Sequence, residues 1–246
     1  MKIRTIVSLL LCLFIMNQTF TKTIESDSFR SWTGEIITVH FIQHASLYIT
    51  FNGLTIYVDP VKYDGIDYLK LPKADVILVT HDHYDHFCQE TIAAISTPNT
   101  MIYCNKKVQE VLEKGIAMKN NQQISYKNSS NDKYIIIESV PAYNTTAGRD
   151  IYHPKGRDNG YLITLGGTRI YISGDCENIP EMSQLKDIDV AFLSINQPYT
   201  MTVTQAIAAA KIIKPSILYP IHYSDTDLKG LSVLKDDEIE VKIFKM

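Results

Sequence analysis

The sequence has 246 residues, of which 45% are hydrophobic and 21% are charged, so it contains enough apolar material for a sizeable folded core. Its formal net charge is −3, and no lysine- or arginine-rich tract follows the first residues. This balance argues against nucleic acid as a partner. No linker rich in proline, serine or glycine follows Trp32, which predicts a single domain over residues 22–246.

The first 21 residues have the composition of a secretion signal. Lys2 and Arg4 precede an apolar run over residues 6–16, and the polar Asn17 follows. The run is too short to span a bilayer comfortably, and a buried N-terminal helix is the alternative. We expect a signal peptide over residues 1–21, an exported protein (periplasmic or secreted), and no stable membrane span once the signal is removed.

The cysteines that would remain after export are Cys88, Cys104 and Cys176. Their odd number is incompatible with a complete disulfide framework. A single pair, Cys88 with Cys104, is one alternative in an oxidising compartment. Three buried thiols are the simpler interpretation.

Strand-forming runs dominate the first part of the chain. Residues 36–42, 47–51 and 54–58 are rich in β-branched and aromatic side chains, and Asn52-Gly53 predicts a hairpin between the last two. Asp59-Pro60 ends the third strand. His44 falls in the break after the first strand, where it either points into a functional site or is structural.

A buried strand over residues 75–80 leads into the most informative stretch of the sequence. Directly after it, His81, His83, Asp85 and His86 place three imidazoles and a carboxylate within six residues. Such a cluster is costly to bury unless a cation compensates it. Imidazole and carboxylate ligands suit zinc, iron or manganese. The stretch therefore predicts a metal site at the end of a strand.

The middle of the chain mixes helices and strands. A short helix over residues 89–95, a strand over 101–104, a helix capped by Asn105, and a strand over 133–140 are expected. The long polar segment over residues 145–159 then predicts a functional or mobile loop.

The second half repeats this order. A hairpin over residues 161–173 turns at Gly166-Gly167 and is followed by Asp175. A strand over 189–194, a helix over 202–213 and a strand over 216–221 come next, and His222 follows. A last strand is predicted over 239–244. Each candidate ligand thus stands at a strand end.

The motif H-x-H-x-D-H at residues 81–86 resembles the signature of the metallo-β-lactamase superfamily, and the resemblance extends from about Thr33 to the C-terminus. It implies an α/β (α+β) fold, a four-layer αββα sandwich of the metallo-β-lactamase type, with two divalent metal ions. By position, His81 and His83 would bind the first ion, while Asp85, His86 and His222 would bind the second. Asp175 would bridge them.

The chain departs from this pattern at one ligand. Tyr143 and Asn144 occupy the place where the family usually supplies a third histidine. His153, in the following loop, is the nearest substitute, and it is equally well explained as a surface residue. Without it the first ion would have only two imidazoles, and a single-ion site becomes plausible.

Residues 38–46 and Asp59-Pro60 are similar to the branch of the superfamily that holds ascorbate-6-phosphate lactonase and N-acyl-phosphatidylethanolamine phospholipase D, although Gln43 replaces a glycine. This branch acts on lactones and phosphodiesters. We predict a metal-dependent hydrolase that uses a metal-bound hydroxide on a small ester, lactone or phosphodiester, with zinc as the expected metal and manganese or iron as alternatives. Asp85 or Asp175 would take up a proton.

Two other functions fit the same residues. A missing third histidine would permit a scaffold that holds metal and a ligand without turnover. An iron redox protein is the other, but redox members of the superfamily resemble H-x-E-x-D-H, and the imidazole of His83 favours hydrolysis.

The expected partner is a small-molecule substrate, and the sequence leaves the oligomeric state open. Besides His44, the residues predicted to contact the substrate are Tyr143 and three basic residues that would bind an anionic group or simply be solvated: Arg149, Lys155 and Arg157. Further tyrosines are candidates to line the cleft: Tyr84, Tyr161 and Tyr223.

Overall fold

The structure, a computed structural model, describes residues 22–127 and 134–246. The predicted signal peptide lies outside these ranges. Within them, no helix has both the length and the apolar character needed to cross a membrane. The cysteines of the described ranges, Cys88, Cys104 and Cys176, are free thiols.

The strands form two seven-stranded sheets. The first sheet follows the chain order, with three antiparallel pairs and then three parallel pairs. Its strands are Glu25–Arg30 (β1), Ile36–Gln43 (β2), Ser46–Phe51 (β3), Leu54–Val58 (β4), Val76–Leu78 (β5), Met101–Cys104 (β6) and Ile116–Ala117 (β7).

The second sheet repeats this arrangement, again with three antiparallel pairs followed by three parallel ones. The repeat in element order predicted from the sequence is therefore present in the topology. The strands are Gln123–Lys127 (β8), Tyr134–Ala142 (β9), Asp158–Leu165 (β10), Thr168–Ile172 (β11), Val190–Ser194 (β12), Ile217–Ile221 (β13) and Glu240–Val241 (β14).

Within residues 22–127 and 134–246, three α-helices and three 3-10 segments accompany the sheets. The side chain of Asn105 accepts a hydrogen bond from the amide of Val108 at 2.9 Å, and Thr202 forms a capping box with Gln205, so both predicted helix starts carry a cap. The helices are Gln89–Ile95 (α1), Lys106–Leu112 (α2) and Val203–Ile213 (α3), and the 3-10 segments are Tyr68–Lys70, Pro180–Gln184 and Leu228–Asp237.

Three separate apolar clusters define the layers. The central one joins the inward faces of the two sheets, with Val39 and Phe41 of β2 packed in the same cluster as Phe192 of β12. A second lies between the second sheet and α3, and a third lies between the first sheet and α1 and α2. Because side chains alternate along a strand, each sheet contributes to two clusters. The predicted four-layer αββα sandwich is confirmed.

Some elements at the sheet edges have no signal in the sequence and were not predicted from it. The edge strand β1 is polar and mostly exposed, so it carries no apolar signal. Strands β7 and β8 were also missed. The last strand was predicted over residues 239–244, but β14 covers only Glu240–Val241, and Phe244 instead stacks on Phe41 with ring centroids 4.2 Å apart.

The strand ends on one edge of the sandwich carry the candidate ligands. His44 follows β2, the histidine motif follows β5, Asp175 follows β11 and His222 follows β13. Backbone contact ties the two sheets together here, because the amide of His222 donates to the carbonyl of His44 at 2.8 Å. Gly174 has φ +61°, and a Cβ on it would lie 2.7 Å from the carbonyl oxygen of Asn159, so only glycine fits before Asp175.

Candidate metal centre

The first set of ligands consists of imidazoles alone. His81, His83 and His153 each offer a ring nitrogen, and these atoms lie within 4.8 Å of one another. The ring centroid of His153 is 4.9 Å from those of both His81 and His83. We call these residues the three-histidine group. Its third member is buried beside the motif rather than on the surface, since His153 is only 1% exposed.

The second set adds a carboxylate. His44, Asp85, His86 and His222 also place ligand atoms within 4.8 Å of one another, and we call them the mixed group. Asp85 Oδ2 lies 3.2 Å from His44 Nε2 and 3.5 Å from His222 Nε2. His44, predicted from the sequence as a substrate contact or a structural residue, is thus among the candidate ligands. Its backbone is left-handed, with φ 63°, which turns the chain at this point.

Asp175 lies between the two groups. Its Oδ2 atom is 3.1 Å from His222 Nε2, 3.3 Å from His86 Nε2 and 3.5 Å from His153 Nε2. The carboxylate is 2% exposed. One side chain therefore contacts imidazoles of both groups, which is the position expected of a bridging ligand.

Several buried atoms at this centre lack a hydrogen bond of acceptable geometry. Among the described residues they include Nε2 of His81, His86 and His222 and Oδ1 of Asp175. Buried polar atoms in proteins are almost always satisfied. Imidazole nitrogens and carboxylate oxygens suit a divalent transition metal, and these atoms belong to overlapping groups whose ligand atoms lie within 4.8 Å of one another. The residues present therefore fit one or more metal ions.

The charge states of these residues agree with this fit. Burial, followed by the neighbouring His86, holds the pKa of His81 well below its usual value, and burial likewise lowers the pKa of His83 and His44. Neutral imidazole is the form that binds metal. For Asp175, burial alone would raise the pKa, but His222 and His86 hold it well below its usual value.

The imidazoles of His86 and His222, in contrast, are held in the protonated state. Burial would lower the pKa of His222, yet Asp175 and Asp85 raise it to about 9, and Asp175 and Asp59 raise that of His86 well above its usual value. The carboxylates that stabilise a proton on these rings would equally stabilise a cation in its place.

Asp59 and Thr80 orient the rings at the end of β5. Asp59 Oδ2 lies 2.8 Å from Nδ1 of His86, and the same carboxylate accepts from the Thr80 amide and hydroxyl, each at 2.7 Å. The Thr80 hydroxyl already donates to Asp59, so it accepts from Nδ1 of His81 at 2.9 Å. With a metal ion bound, both rings would keep their proton on Nδ1 and present Nε2 to the centre.

Asp158 orients the ring of His153, the third member of the three-histidine group. Its Oδ2 atom lies 3.3 Å from Nδ1 of His153. Arg157 holds the carboxylate with two hydrogen bonds of 2.7 Å, one to each oxygen, and the side-chain amide of Asn105 donates to Oδ1 at 3.2 Å. This bidentate pair fixes the carboxylate, and with it the ring of His153.

Glu177 anchors the segment that carries His153. Its fully buried carboxylate accepts from the amides of Thr145 and Thr146 at 2.8 and 2.6 Å, and from Arg149 at 3.3 Å. Burial would raise the pKa of Glu177, but the hydrogen bonds from Thr146 and Thr145 lower it to about 2. At the start of the same segment, the amide of Asn144 donates to the His153 carbonyl at 2.9 Å. The loop over residues 143–157 is thus held in place by hydrogen bonds to Glu177 and by hydrogen bonds within the loop.

Four residues predicted to contact the substrate bind other side chains of the protein instead: Tyr143, Arg149, Lys155 and Arg157. Arg149 binds Glu177, and Arg157 binds Asp158. Lys155 donates to the Tyr143 hydroxyl at 3.1 Å and to Glu181 at 2.9 Å. None of the four lines the cleft above the ligands. Paired side chains of this kind satisfy a structural role within the loop.

The tyrosines divide in a similar way. Tyr84 lines the cleft, whereas Tyr161 is fully buried in the central core and Tyr223 donates to the backbone of Phe244. The cleft encloses about 380 Å³. It opens over both groups, because His83, His153, Asp85, Asp175 and His222 all contribute to its floor.

Some residues of the centre were not proposed from the sequence as site residues. Asp59 was noted as a strand end beside Pro60 and as part of the branch resemblance, but not as a site residue, and Thr80, Asp158 and Glu177 were not singled out. A carboxylate directly after a buried strand was the available signal for Asp59. For Asp158 and Glu177 there was none, because their partners are brought together only by folding.

Comparisons with known proteins agree with the interpretation of this site as a metal centre. The chain matches the family described as the beta-lactamase superfamily domain over residues 38–222 and belongs to that family. A UPF0173 metal-dependent hydrolase of Pyrococcus horikoshii is 29% identical over 230 residues, covering 85% of this chain and 97% of the relative. Fold, family and relatives together define a metal-dependent hydrolase of the metallo-β-lactamase superfamily.

Two solved structures illustrate the likeness. A protein described as a metal-dependent hydrolase of Parabacteroides distasonis is 49% identical, with a TM-score of 0.85, and the match covers 91% of this chain and 100% of the other. The metallo hydrolase Igni18 of Ignicoccus hospitalis is 22% identical, with a TM-score of 0.68 and coverages of 84% and 94%. The second likeness concerns the fold alone.

Proposed function

We propose that this chain binds two divalent metal ions, with zinc as the favoured metal, and hydrolyses a small ester, lactone or phosphodiester. The observation that carries the proposal is the position of Asp175 between two sets of ligands, in which the buried Nε2 atoms of His81, His86 and His222 lack hydrogen bonds. Such ions act as Lewis acids and lower the pKa of bound water, which is the chemistry a hydrolase of this kind needs.

The ligands divide between two ions in this proposal. The three-histidine group holds one ion and the mixed group holds the other, with Asp175 shared. Within the mixed group His44 stands beside Asp85, at 3.2 Å, and its ring centroid is 3.7 Å from that of His222. His44 therefore either completes this ligand set or orients Asp85.

The protein's own contribution to the reaction is orientation and proton transfer. Asp85 is part of the cleft wall and 26% of its side chain is exposed, so its carboxylate can accept a proton from an attacking water or return one to a leaving group. Asp175 is buried, which suits it to holding cations rather than to exchanging protons with solvent. No side chain needs to act as a covalent nucleophile.

Metal removal and replacement test the proposal. The purified protein is treated with a chelator and assayed on 4-nitrophenyl acetate, δ-valerolactone and bis(4-nitrophenyl) phosphate, before and after addition of zinc, manganese or iron(II). We expect hydrolysis of at least one substrate to disappear with the metal and to return with zinc. Metal binding without turnover of any substrate would instead support the non-catalytic scaffold, and a reducible iron signal would support the redox protein.

We further propose that the protein is exported, on the charged and apolar composition of residues 1–21. N-terminal sequencing of the protein from cell fractions tests this directly. A mature chain that begins near residue 22 in the exported fraction is expected. Retention of Met1 on protein from the cytoplasm would contradict export.

A further inference from the structure

Three tyrosines surround the mouth of the cleft, and we call them the tyrosine rim: Tyr84, Tyr152 and Tyr199. Tyr84 follows the metal motif's second histidine and is 88% exposed, while Tyr199 is 44% exposed. The rings of Tyr152 and Tyr199 meet edge to face, with centroids 4.9 Å apart. Tyr152 is partly buried and packs against the exposed Tyr199. Large aromatic side chains left open at a surface are usually found singly, so this grouping at one opening indicates a binding surface.

Apart from the histidines of the two groups, no basic side chain of the described residues lines the cleft. In the described parts of the chain, its uncharged polar members are Asn196 and Ser224, whose side chains hydrogen-bond to each other at 3.3 Å. No lysine or arginine of residues 22–127 or 134–246 lines it. The basic residues of the neighbouring loop are committed to carboxylates, as Arg149 is to Glu177 and Arg157 is to Asp158.

These two features point to one kind of substrate. An anionic group remote from the scissile bond, and so away from the metal ligands, would meet tyrosine rings without a lysine or arginine to compensate its charge, which is unfavourable. An aromatic ring would instead stack on the tyrosine rim, a contact worth several-fold in binding. The volume of about 380 Å³ accommodates a single ring beside a reacting group.

We propose that the part of the substrate remote from the scissile bond is uncharged and aromatic, and that it binds on the tyrosine rim. This inference rests on the hydrolytic function proposed above, and it concerns which member of the ester, lactone or phosphodiester class the site accepts. Asn196 and Ser224 supply neutral hydrogen-bonding groups on the same wall.

Three methyl esters with the same leaving group test the inference on the zinc-loaded protein. They are methyl 3-phenylpropanoate, methyl 3-cyclohexylpropanoate and methyl 3-(4-carboxyphenyl)propanoate, and acid release is followed at constant pH. The phenyl ester should have a kcat/KM roughly two- to tenfold above that of the cyclohexyl ester, since stacking requires a flat ring. The carboxylated ester should be the poorest. Equal rates, or preference for the carboxylated ester, would overturn the inference.

Variants locate the effect. Tyr199→Ala and Tyr152→Ala should reduce the ratio of phenyl to cyclohexyl kcat/KM toward unity. Tyr134→Ala is the matched control, because Tyr134 is also exposed (60%) but lies on β9 and outside the cleft. A ratio unchanged by both rim variants would contradict the assignment of the tyrosine rim.

A binding measurement separates this inference from the proposed hydrolysis. 4-Phenyl-2-butanone and 4-cyclohexyl-2-butanone lack the ester oxygen and cannot be hydrolysed, and their binding is followed by ligand-observed NMR. The phenyl ketone should bind wild type and Tyr134→Ala more tightly than Tyr199→Ala. If the phenyl ketone binds in this order although no ester is hydrolysed, the hydrolytic proposal is wrong and the role of the tyrosine rim in binding aromatic groups is supported. If esters are hydrolysed but the ketones bind alike, the rim inference fails alone.

Discussion

The three-histidine group and the mixed group differ in how the chain builds them. Two members of the three-histidine group lie in the motif after β5, and the third arrives on a loop pinned by Glu177 and Asp158. The mixed group collects residues from the ends of three strands and includes a carboxylate. One group therefore depends on loop anchoring and the other on the sheet edges. Substitutions can separate the two dependences.

The largest expected effect is at the residue common to both. Asp175→Asn removes the negative charge that contacts His86, His153 and His222, so affinity for both ions should fall. We expect kcat/KM to drop on the order of a thousandfold. Metal content and kcat/KM are measured together, with the exposed Asp225→Asn as control. Retention of full metal content and activity would show that Asp175 does not join the groups.

The orienting carboxylates should separate the groups. Asp158→Asn loosens the ring of His153 alone, whereas Asp59→Asn loosens that of His86 directly and that of His81 through Thr80. Loss of such a partner typically weakens metal binding by about 10- to 100-fold. Competition titrations with a chromophoric chelator should therefore show one weakened ion in Asp158→Asn and two weakened ions in Asp59→Asn. Weakening of both ions to the same extent in Asp158→Asn would contradict the division.

A smaller effect is expected at the loop anchor. Glu177→Gln removes the charge from a buried acceptor of several hydrogen bonds, and the free energy of unfolding at pH 7 should fall by about 2 kcal/mol. Its folded pKa, about 2, lies below the usual 4.5, so the carboxylate stabilises the fold above pH 4.5. That contribution is lost as the pH falls toward 2.

Urea unfolding at several pH values checks this prediction. The wild type should lose its advantage over Glu177→Gln between pH 4.5 and about 2. A difference in stability that does not change over this range would mean that the Glu177 charge does not anchor the loop.

The smallest effect is expected on the outer side of the same loop. Lys155 is exposed and pairs with Glu181, away from the cleft. Exposed ion pairs contribute little to stability, and this one lies outside the cleft, so Lys155→Met should leave kcat/KM within about twofold for neutral and anionic esters alike. A selective loss of activity on anionic substrates would restore the role in anion binding that the sequence suggested for this residue.

The sequence was most informative where the chemistry is local. The apolar run before His81 predicted the buried strand, and the short spacing of the motif predicted the metal site, because both signals lie within one stretch of chain. Asn105 likewise marked a helix start by its capping side chain. The polar edge strand β1 gave no such signal, since its pairing with β2 supplies the order that its composition does not.

Roles that depend on distant partners could not be derived in this way. His153 looked equally like a surface residue, and only the contact with Asp158 and the closeness to His81 and His83 distinguish it. Arg149 and Arg157 looked like anion-binding residues because their carboxylate partners were not apparent from the sequence. A basic side chain on a polar loop is ambiguous until the fold shows whether a carboxylate already neutralises it.

The most direct test of this account is the number of metal ions per chain in wild type and in His153→Ala, measured by elemental analysis after loading with zinc and removal of the excess. His40→Ala is the control, because His40 of β2 stacks on Tyr48 of β3 and belongs to neither group. The account predicts two ions in the wild type and the control and about one in His153→Ala. Two ions in all three proteins would contradict it.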